Sequence, residues 1–540
     1  MPVPFFLRRP GLCALGIILS CTLARLWIAS SGQLDLAQDE AQYWDWSRRL
    51  QPGYYSKGPL IAWIIALWTG VFGHTELGVR FGAVLNSLAV QGLIYAWLGI
   101  LLRRPGLALA TLLIANSSPM FIVGGVLMTT DNPLLLCWTG GLACLTGLTG
   151  RPGACWPLWG LALCACLGVL SKFTMLAFLP PALAYCWLLR RRGTLRARAW
   201  RLAVLALSGG ALLGLAPSLA WNAGNDFVTF RHLAGLAGLG AASADPAPLL
   251  RPDRVPEFLG SQAALALPWW LALMLWQGAR LARSCLSHLR GQGAGDEASR
   301  LRLLLCLQFW PLWLFFVLWS FHSRVYPNWP AMSYVAGFVL AALGADEIRM
   351  RRRGILKACA AASLIAGLAV HGQAGLTRLL PLPEFLDPTL RLKGWSDLGR
   401  ELDSLRQAMP RPEEVFFFSD SYGVAAELAF YIPGRPVVFC ADFGRRLNQY
   451  DFWPDPNGRI PAGRDPGPET PGSRSGWDAL YVARAPLRAI PRQLRDMFAS
   501  LPDRPSAYPS LHRGKPGRTF GFLPAYGFTG RWPRSGRERY

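Results

Sequence analysis

Long apolar segments recur through the first two thirds of this 540-residue chain. Each runs for roughly 17–25 residues, the length that an α-helix needs to cross the hydrocarbon core of a bilayer. Such segments are expected to be helical because lipid offers no hydrogen-bond partners, so the backbone amides and carbonyls must bond to each other within the segment. The sequence therefore predicts a polytopic α-helical membrane protein, of which 52% is hydrophobic and only 16% charged.

The formal net charge of +23 comes from short arginine clusters between the apolar runs. They do not form one face of a soluble domain, so we predict a positive-inside membrane topology and no nucleic-acid partner. With Arg8 and Arg9 in the cytoplasm, eleven spans within a range of about 11–13 place every strongly basic loop on that side. The predicted spans are 11–31, 78–101, 106–127, 133–150, 154–171, 173–189, 202–221, 262–282, 303–321, 326–344 and 355–371.

Two apolar segments can each be interpreted in two ways. Residues 59–73 are short for a crossing, and counting them would move every later basic cluster outside, so we predict a helix in the interface or under the first outer loop. The run that begins at Gly11 is either a cleaved signal, with a lipoprotein-like box ending at Cys21, or an uncleaved anchor. We favour the anchor because the apolar run continues well past Cys21.

From about residue 373 the chain carries charges of both signs and frequent proline and glycine. Strands are predicted at 415–420, 436–440 and 479–484, with a helix at 422–431, which indicates a small α/β domain. We therefore divide the chain into a transmembrane domain, 1–372, whose first outer loop is 32–77, and an extracytoplasmic C-terminal domain, 373–540.

Four polar clusters are predicted to lie at the outer ends of different spans. They are Asp39 and Glu40 with Lys57, Asp131 within Thr130–Pro133, Ser171 with Lys172, and Arg324 within His322–Asn328. A charge near a membrane span costs about 2.5–3.5 kcal/mol on insertion scales, so such residues are usually functional or paired.

Each charged residue also has a structural explanation. These are helix capping for Asp39 and Glu40, a helix start for Asp131, snorkelling to headgroups for Lys172, a lipid-phosphate contact for Arg324, and membrane anchoring for Arg25 and Arg80. The occurrence of both charge signs in separate clusters on one side favours a functional site.

Carboxylates and cations at a membrane face suit the transfer of a sugar from a lipid phosphate. A carboxylate takes the acceptor's proton or orients the acceptor as it attacks the anomeric carbon. Lysine and arginine neutralise the departing phosphate, and the transition state resembles an oxocarbenium ion.

Short motifs occur in order along most of the chain. They are Asp39-Glu40-Ala41 with Tyr43-Trp44, Gly53-Tyr54-Tyr55, Lys57-Gly58-Pro59, Glu76 to Arg80, Thr130-Asp131-Asn132-Pro133-Leu134, Leu170-Ser171-Lys172, Trp221-Asn222, Asn328-Trp329-Pro330, and the segments 421–436 and 445–453. In order and spacing the chain resembles the GT-C class of lipid-linked-sugar glycosyltransferases. It is most similar to the protein-mannosyltransferase-like family 39 and to the bacterial transferases that add aminoarabinose to lipid A.

The resemblance implies an outer-side active site and an undecaprenyl- or dolichyl-type phosphate sugar donor. Asp39 matches the catalytic or acceptor-orienting aspartate, Asp131 a second acidic position, and Glu40 completes the candidate acids. Candidate phosphate contacts are Lys57, Lys172 and Arg324. The run Lys57-Gly58-Pro59 departs from the commoner Lys-Pro-Pro, which alters the stiffness of the turn rather than its charge.

We therefore predict a glycosyltransferase of the bacterial inner membrane that acts on a periplasmic acceptor such as lipid A or another envelope glycan. The sequence demands no cofactor and leaves the participation of a divalent metal open. The alternative is a transporter or flippase for lipid-linked sugars, and a third class is a structural partner in an envelope complex. Transport is disfavoured because the polar clusters lie at the outer face rather than the midplane, and no half-to-half repeat is present.

Overall fold

The computed structural model describes residues 9–150, 153–236, 250–289, 296–349, 351–379, 387, 389–459, 472–487, 489–512 and 514–533. The chain forms two compact units. The helical unit comprises Met1–Ile28, Phe81–Pro217 and Ala242–Gln373. The mixed unit comprises Ala29–Arg80, Ser218–Ala241 and Ala374–Tyr540. The predicted boundary at 372/373 thus falls beside a unit boundary, but the first outer loop belongs to the same unit as the C-terminal residues.

Helices account for most of the described residues. In chain order they are α1 (Pro10–Ser30), α2 (Gln38–Ser47), α3 (Leu60–Phe72), α4 (Glu76–Ile94), α5 (Pro105–Ser117), α6 (Pro119–Gly124), α7 (Asp131–Gly150), α8 (Trp156–Ser171), α9 (Leu179–Arg191), α10 (Ala197–Ala223), α11 (Val228–Leu236), α12 (Arg254–Ala266), α13 (Pro268–Leu289), α14 (Glu297–Ser320), α15 (Ser333–Ile348), α16 (Arg353–Leu379), α17 (Trp395–Gln407), α18 (Tyr422–Tyr431) and α19 (Arg492–Met497). A π-helical segment, Tyr95–Leu101, extends α4.

Within the described residues, 8 helical segments are long and apolar enough to cross a membrane, or up to 9 if one bent pair is a single span. The 8 segments are Pro10–Ser30, Glu76–Leu101, Asp131–Gly150, Phe173–Arg191, Ala197–Ala223, Glu297–Ser320, Trp329–Ile348 and Arg353–Gln373. Each coincides with a predicted span. The prediction of a polytopic helical membrane protein with a C-terminal α/β part is confirmed.

Three of the eleven predicted spans are not among these 8 segments of the described residues. Span 154–171 is the shorter helix α8, with 16 residues, and the other two spans are interrupted. Span 106–127 breaks at Ser118, which is extended before Pro119, so α5 and α6 are separate helices. Span 262–282 crosses a bend of 104° between α12 and α13. The break is at Leu267, whose φ of 68° precedes Pro268. In both places proline disfavours a helical conformation of the residue before it and lacks the backbone donor that would continue the helix.

The predicted short helix at 59–73 is α3, with 13 residues. At 1.5 Å per residue it extends for about 20 Å, less than the hydrocarbon thickness. Ile61, Ala62 and Ile65 are buried on one of its faces. Within the mixed unit α3 packs against α2, so the segment supports the first loop as predicted.

The helical unit contains both enclosed and outward-facing spans. In α7, 78% of the apolar stretch is buried, whereas only 11% of the apolar stretch of Arg353–Gln373 is buried. Leu364, Ile365 and Leu368 of α16 are all more than 60% exposed. An apolar surface of this kind is unfavourable in water and suits contact with lipid.

The mixed unit contains a six-stranded sheet, formed by β1 (Val415–Ser419), β2 (Val438–Cys440), β3 (Asp478–Ala483), β4 (Phe498–Ser500), β5 (Ser506–His512) and β6 (Lys515–Phe528). The main strand order is β2-β1-β3-β6-β4, and β5 also pairs with β6. β1 pairs in parallel with β2 and β3, and β6 runs antiparallel to β3. Every residue of β1 is buried, as expected for an apolar central strand covered on both faces.

Candidate functional site

Asp39 and Glu40 lie in the first turn of α2, but they occupy different environments. Asp39 is exposed, whereas Glu40 is fully buried. Consecutive residues of an α-helix point about 100° apart, so a helix that packs on one face separates them. The sequence pairs these two acids, and the fold gives only Asp39 access to solvent.

Glu40 forms a buried ion pair with Arg80, at the start of α4. Arg80 Nη2 donates to Glu40 Oε2 at 2.9 Å, and Arg80 Nε donates to Oε1 at 3.1 Å. The Ala37 amide also donates to Oε2 at 2.9 Å, which makes Glu40 part of the N-terminal cap of α2. The capping alternative therefore describes Glu40, and its geometry favours a structural role over the catalytic role expected from the sequence.

Arg80 and Arg25 are not headgroup anchors, so that expectation was wrong for both. Each is fully buried. Arg80 donates to the carbonyls of Leu34 and Asp35 at 2.9 and 2.7 Å. Arg25 donates to Asn116 Oδ1 at 2.9 Å. The Arg80 guanidinium, with a carboxylate and two carbonyls as partners, ties segments together, because each lost partner would leave a costly unsatisfied donor.

C-terminal residues of the mixed unit hold the segment that leads into α2. The Tyr431 hydroxyl accepts from the Leu36 amide at 2.7 Å and donates to Glu76 Oε1 at 3.0 Å. The Asp35 carboxylate accepts from the Trp395 amide at 2.8 Å. Together with Arg80, these contacts fix the chain just before Asp39 from several directions.

α18 also packs directly on α2. A Cβ atom on Gly423 would lie 2.8 Å from Gln38 Oε1, so glycine permits the close approach at this point. One turn further along α18, Glu427 is fully buried, and among the described residues neither of its oxygens has a hydrogen-bond partner. Burial, reinforced by Asp35 and Glu40, raises the pKa of Glu427 well above its usual value.

The second half of the first loop packs on α10 and α11 within the mixed unit. Gly53 is required there, since a Cβ would lie 2.9 Å from the Trp221 side chain. Tyr54 stacks on Trp46 with ring centroids 4.5 Å apart. The Tyr55 amide donates to Gln449 Oε1 at 2.7 Å, so the C-terminal part also fixes the backbone two residues before Lys57.

Lys57 is half-buried in a positively charged environment. The nearby His232 ring lies 3.3 Å from the Tyr55 hydroxyl through Nδ1. Burial, together with the charges of Arg446 and Lys57, lowers the pKa of His232 to about 4. The histidine is therefore neutral at physiological pH, and the lysine and arginine provide the positive charge of this surface.

Asp131, Lys172 and Asn328 meet in the helical unit. Lys172 Nζ donates to Asp131 Oδ1 at 2.6 Å, and Asn328 Nδ2 donates to Oδ2 at 2.8 Å. The Asp131 and Lys172 side chains are 20% and 14% exposed. Three of the predicted polar clusters are thus joined in one partly accessible group. Asp131 is also the first residue of α7, as the helix-start alternative predicted.

Local structure explains why Lys172 reaches Asp131. α8 ends at Ser171, and Lys172 adopts an extended conformation before a 3₁₀ turn begins at Phe173. The Ser171 hydroxyl donates to the Thr130 carbonyl at 2.6 Å, which joins the end of α8 to the start of α7. Lys172 has three ammonium donors, and Asp131 accepts one of them.

Arg324 occupies a different setting in the helical unit. Its Nε and Nη2 atoms donate to Glu257 Oε1 at 3.0 and 2.8 Å. The two side chains are 69% and 55% exposed, so solvent screens this pair strongly. Arg324 is therefore less constrained than Lys172. Among the described residues, no group of three or more His, Cys, Asp or Glu side chains could hold a metal ion.

Comparisons with known proteins identify similar sequences. Residues 56–221 match the family described as dolichyl-phosphate-mannose-protein mannosyltransferase. The chain is 30% identical over 343 residues to the lipid A galacturonosyltransferase RgtD of Rhizobium johnstonii. That alignment includes 60% of this chain and spans 64% of the relative's length.

Solved structures establish the fold similarity. The apo structure of ArnT from Cupriavidus metallidurans matches with a TM-score of 0.55 and 16% identity, over 94% of this chain and 97% of that one. The same protein bound to undecaprenyl phosphate matches with a TM-score of 0.54, at the same identity and coverage. These matches show that the chain shares the polytopic fold of ArnT over almost its whole length.

Proposed function

We propose that this protein is a glycosyltransferase that moves a sugar from a polyprenyl-phosphate carrier to an extracytoplasmic acceptor, lipid A or a related envelope glycan. The similar sequences are named as glycosyltransferases, and RgtD is named for lipid A. The ArnT structure with undecaprenyl phosphate supports a donor of the same chemical class. Transport of lipid-linked sugars, the alternative, gains no support from these relatives.

The observation that carries the proposal is the contrast between neighbouring acids. Asp39 is exposed at the start of a helix whose approach is fixed by Arg80, Tyr431 and Trp395. Glu40 is committed to Arg80 and to the helix cap. An exposed carboxylate on a rigid segment can meet an acceptor hydroxyl at a defined position, as general-base catalysis requires.

In the proposed reaction, the acceptor hydroxyl oxygen attacks the anomeric carbon of the donor. The new carbon–oxygen bond forms while the bond from that carbon to the phosphate oxygen breaks. The bonding electron pair leaves with the polyprenyl phosphate, and Asp39 takes the acceptor's proton or orients the hydroxyl that loses it. Asp131 is the second acidic position and keeps Lys172 in place.

Lys57 and Lys172 are proposed to contact the donor phosphate. Both are half-buried, so their charges act with less solvent screening than those of exposed lysines. Negative charge on the bridging oxygen grows as the carbon–oxygen bond breaks, and fixed cations stabilise that charge. Arg324, which is exposed and paired with Glu257, is assigned to the edge of the donor site.

The test is mass spectrometry of membrane lipids and envelope glycans from a knockout strain that carries wild-type protein or the Asp39→Asn variant. We expect the variant and the empty knockout to accumulate the same polyprenyl-phosphate sugar and to lose that sugar from one glycan. The identities of the two species then name both substrates.

A matched control is Asp226→Asn. Asp226 is also an exposed acid of the mixed unit, and its φ of 52° suits asparagine well. This control should restore the glycan as wild type does, at equal membrane abundance. Full complementation by a well-folded Asp39→Asn variant would overturn the role of Asp39 and return the transporter and structural classes to consideration.

We further propose that the protein lies in the bacterial inner membrane with its C-terminal residues in the periplasm. An odd number of spans follows from placing the basic loops inside. A periplasm-dependent reporter fused to the C-terminus should be active. An inactive reporter, together with activity of a cytoplasm-dependent one, would contradict the topology.

A further inference from the structure

The helical unit contains a polar cavity of about 240 Å³ that the proposed reaction does not use. Its polar lining is contributed by Arg103, Thr146, Thr149, Tyr185, Glu297 and Arg300. These residues come from α7, α9 and α14 and from Arg103, which follows the π-helical segment. Ionisable residues that face a cavity among membrane helices usually mark a functional site, so the two arginines and the glutamate need an explanation.

The cavity lies at the far end of α7 from the Asp131–Lys172 pair. Asp131 is the first residue of this helix, whereas Thr149 and Gly150 are at its end. A helix of 20 residues spans about 30 Å, so the two places are separated by the thickness of the hydrocarbon core. Arg190 and Arg191, in the last turn of α9, lie towards the cavity end of the helical unit, so this end is the basic side.

The backbone beside the cavity is unusual at Arg103. The π-helix Tyr95–Leu101 precedes it, and the Arg104 amide donates to the Leu98 carbonyl at 2.9 Å. Arg103 therefore occupies the left-handed position that ends the helix, with φ of 52°. Glycine is the usual residue there, and a side chain costs about 1–2 kcal/mol. Strain and π-helical turns both concentrate at functional sites.

The lining groups have chemistry for one kind of ligand. Two guanidinium groups present forked donors that fit phosphate oxygens. Thr146 is fixed, because its hydroxyl donates to the Leu142 carbonyl and accepts from Trp97 Nε1, each at 2.9 Å. Glu297, exposed in the first turn of α14, supplies one negative charge at the same opening. The Glu297 carboxylate would repel a phosphate alone, whereas an ammonium group linked to the phosphate would pair with this carboxylate.

We propose that this cavity binds the headgroup of a phospholipid from the leaflet on the basic side, and that a phosphate ester carrying a primary ammonium group fits it best. Arg103 and Arg300 bind the phosphate, and Glu297 accepts hydrogen bonds from the ammonium. Basic pockets between membrane helices are a known way to hold lipid headgroups. The positive-inside rule explains why arginine is abundant on this side, but it does not explain a strained arginine lining a cavity with a carboxylate.

The test is native mass spectrometry of the full-length, detergent-purified protein titrated with dioleoyl phosphatidylethanolamine, phosphatidylcholine or phosphatidylglycerol. We expect one saturable ethanolamine lipid, bound roughly tenfold more tightly than the choline lipid, whose quaternary ammonium has no hydrogen to donate to Glu297. Arg300→Gln should weaken this binding about tenfold, and Arg300→Lys should restore part of it.

Arg104→Gln is the matched control, since Arg104 neighbours Arg103 but does not line the cavity. It should bind as wild type does, and so should Asp39→Asn, which separates this proposal from the catalytic one. If Arg300→Gln fails to fold, Glu297→Gln tests the same site, with an expected shift of preference from the ethanolamine lipid to the glycerol lipid. Equal binding of all three lipids, or displacement of the lipid by millimolar inorganic phosphate alone, would overturn the proposal.

Discussion

The two units each contain an acid paired with a base that sequence patterns single out, yet the pairs differ in burial. The Glu40 and Arg80 side chains of the mixed unit are 0% and 1% exposed. The Asp131 and Lys172 side chains of the helical unit are 20% and 14% exposed. The first pair is held by several hydrogen bonds and backbone carbonyls, whereas the second is joined by one ammonium contact.

This difference in burial distinguishes an ion pair with a structural role from an ion pair that a substrate can reach. Burying two charges costs several kcal/mol each in desolvation, and only good geometry with all partners satisfied offsets that cost. Glu40 and Arg80 meet this condition, and substrate cannot replace either partner. Lys172 keeps donors beyond the one given to Asp131, and both side chains are accessible, so a phosphate can share the lysine. The predictions below run from the largest expected effect to the smallest.

Removing charge from the buried pair should cause the largest loss of stability. Glu40→Gln keeps the side-chain shape but leaves the Arg80 guanidinium buried without its counter-charge, which we expect to cost about 3–5 kcal/mol. Thermal unfolding of the detergent-purified protein measures this. Glu413→Gln, at an exposed acid of the same unit, is the control and should unfold as wild type does. An unchanged unfolding temperature for Glu40→Gln would mean that the pair does not hold the first loop.

Breaking the accessible pair should instead impair transfer. Lys172→Met is expected to lower the transfer rate about 10²–10³-fold by removing a fixed cation, while the unfolding temperature changes little. The assay is sugar transfer from the donor identified in the complementation experiment. Lys393→Met is the control, because Lys393 pairs with Asp387 at 2.7 Å with similar exposure. Loss of folding rather than activity in Lys172→Met would make the two pairs equivalent and remove the contrast.

The buried side chain of His232 should make the stability of the protein depend on pH. The folded pKa of His232 is about 4, below the value of about 6.5 in the unfolded chain. The unfolded chain therefore binds more protons between these values, so stability is complete above pH 6.5 and falls as the pH drops towards 4. We expect His232→Gln to remove about 2–3 kcal/mol of this loss, measured as unfolding temperature against pH. Parallel curves for variant and wild type would contradict the assignment.

Glu427 should show the opposite slope and the smallest effect. Its folded pKa lies well above its usual value, so its contribution to stability is present below pH 4.5 and is lost as the pH rises. Asp35 and Glu40 oppose its ionisation, while Arg80 and Arg518 favour it. Glu427→Gln should therefore raise the unfolding temperature at pH 8 and leave it unchanged at pH 4. Equal stability at both pH values would show that Glu427 has a partner in its charged form.

Much of the architecture could be predicted from residue patterns. Among the described residues, apolar length located 8 of the eleven predicted spans as long apolar helices, and the helix predicted at 422–431 was found at Tyr422–Tyr431. The strands at 415–420, 436–440 and 479–484 were also correct to within about two residues. β4, β5 and β6 were missed. β5 and β6 lie in a segment rich in proline and glycine, and β6 pairs with β3 from about 40 residues away, so local propensity gave no signal.

The candidate site was predicted in part. Asp39, Asp131, Lys57 and Lys172 remain proposed site residues, and each is exposed or half-buried. His232 was missed, because an isolated histidine looks like an ordinary core residue in the sequence. Tyr431 lies within the motif segment 421–436, but no local pattern pointed to its contacts with Leu36 and Glu76. Arg80 had a signal, since it lies within the motif Glu76 to Arg80, but its pairing with Glu40 depends on a contact across 40 residues.

The sequence by itself determined the membrane class, the order of the helices and the chemistry of the charged clusters, because these follow from local composition and length. Only the tertiary structure decided which acid of the Asp39–Glu40 pair is buried, since that depends on where α2 begins and which face Arg80 meets. It also decided that C-terminal residues hold the first loop, through the Tyr431, Trp395 and Gln449 contacts. Contacts between residues about 360–395 positions apart are fixed by packing, and no local pattern encodes them.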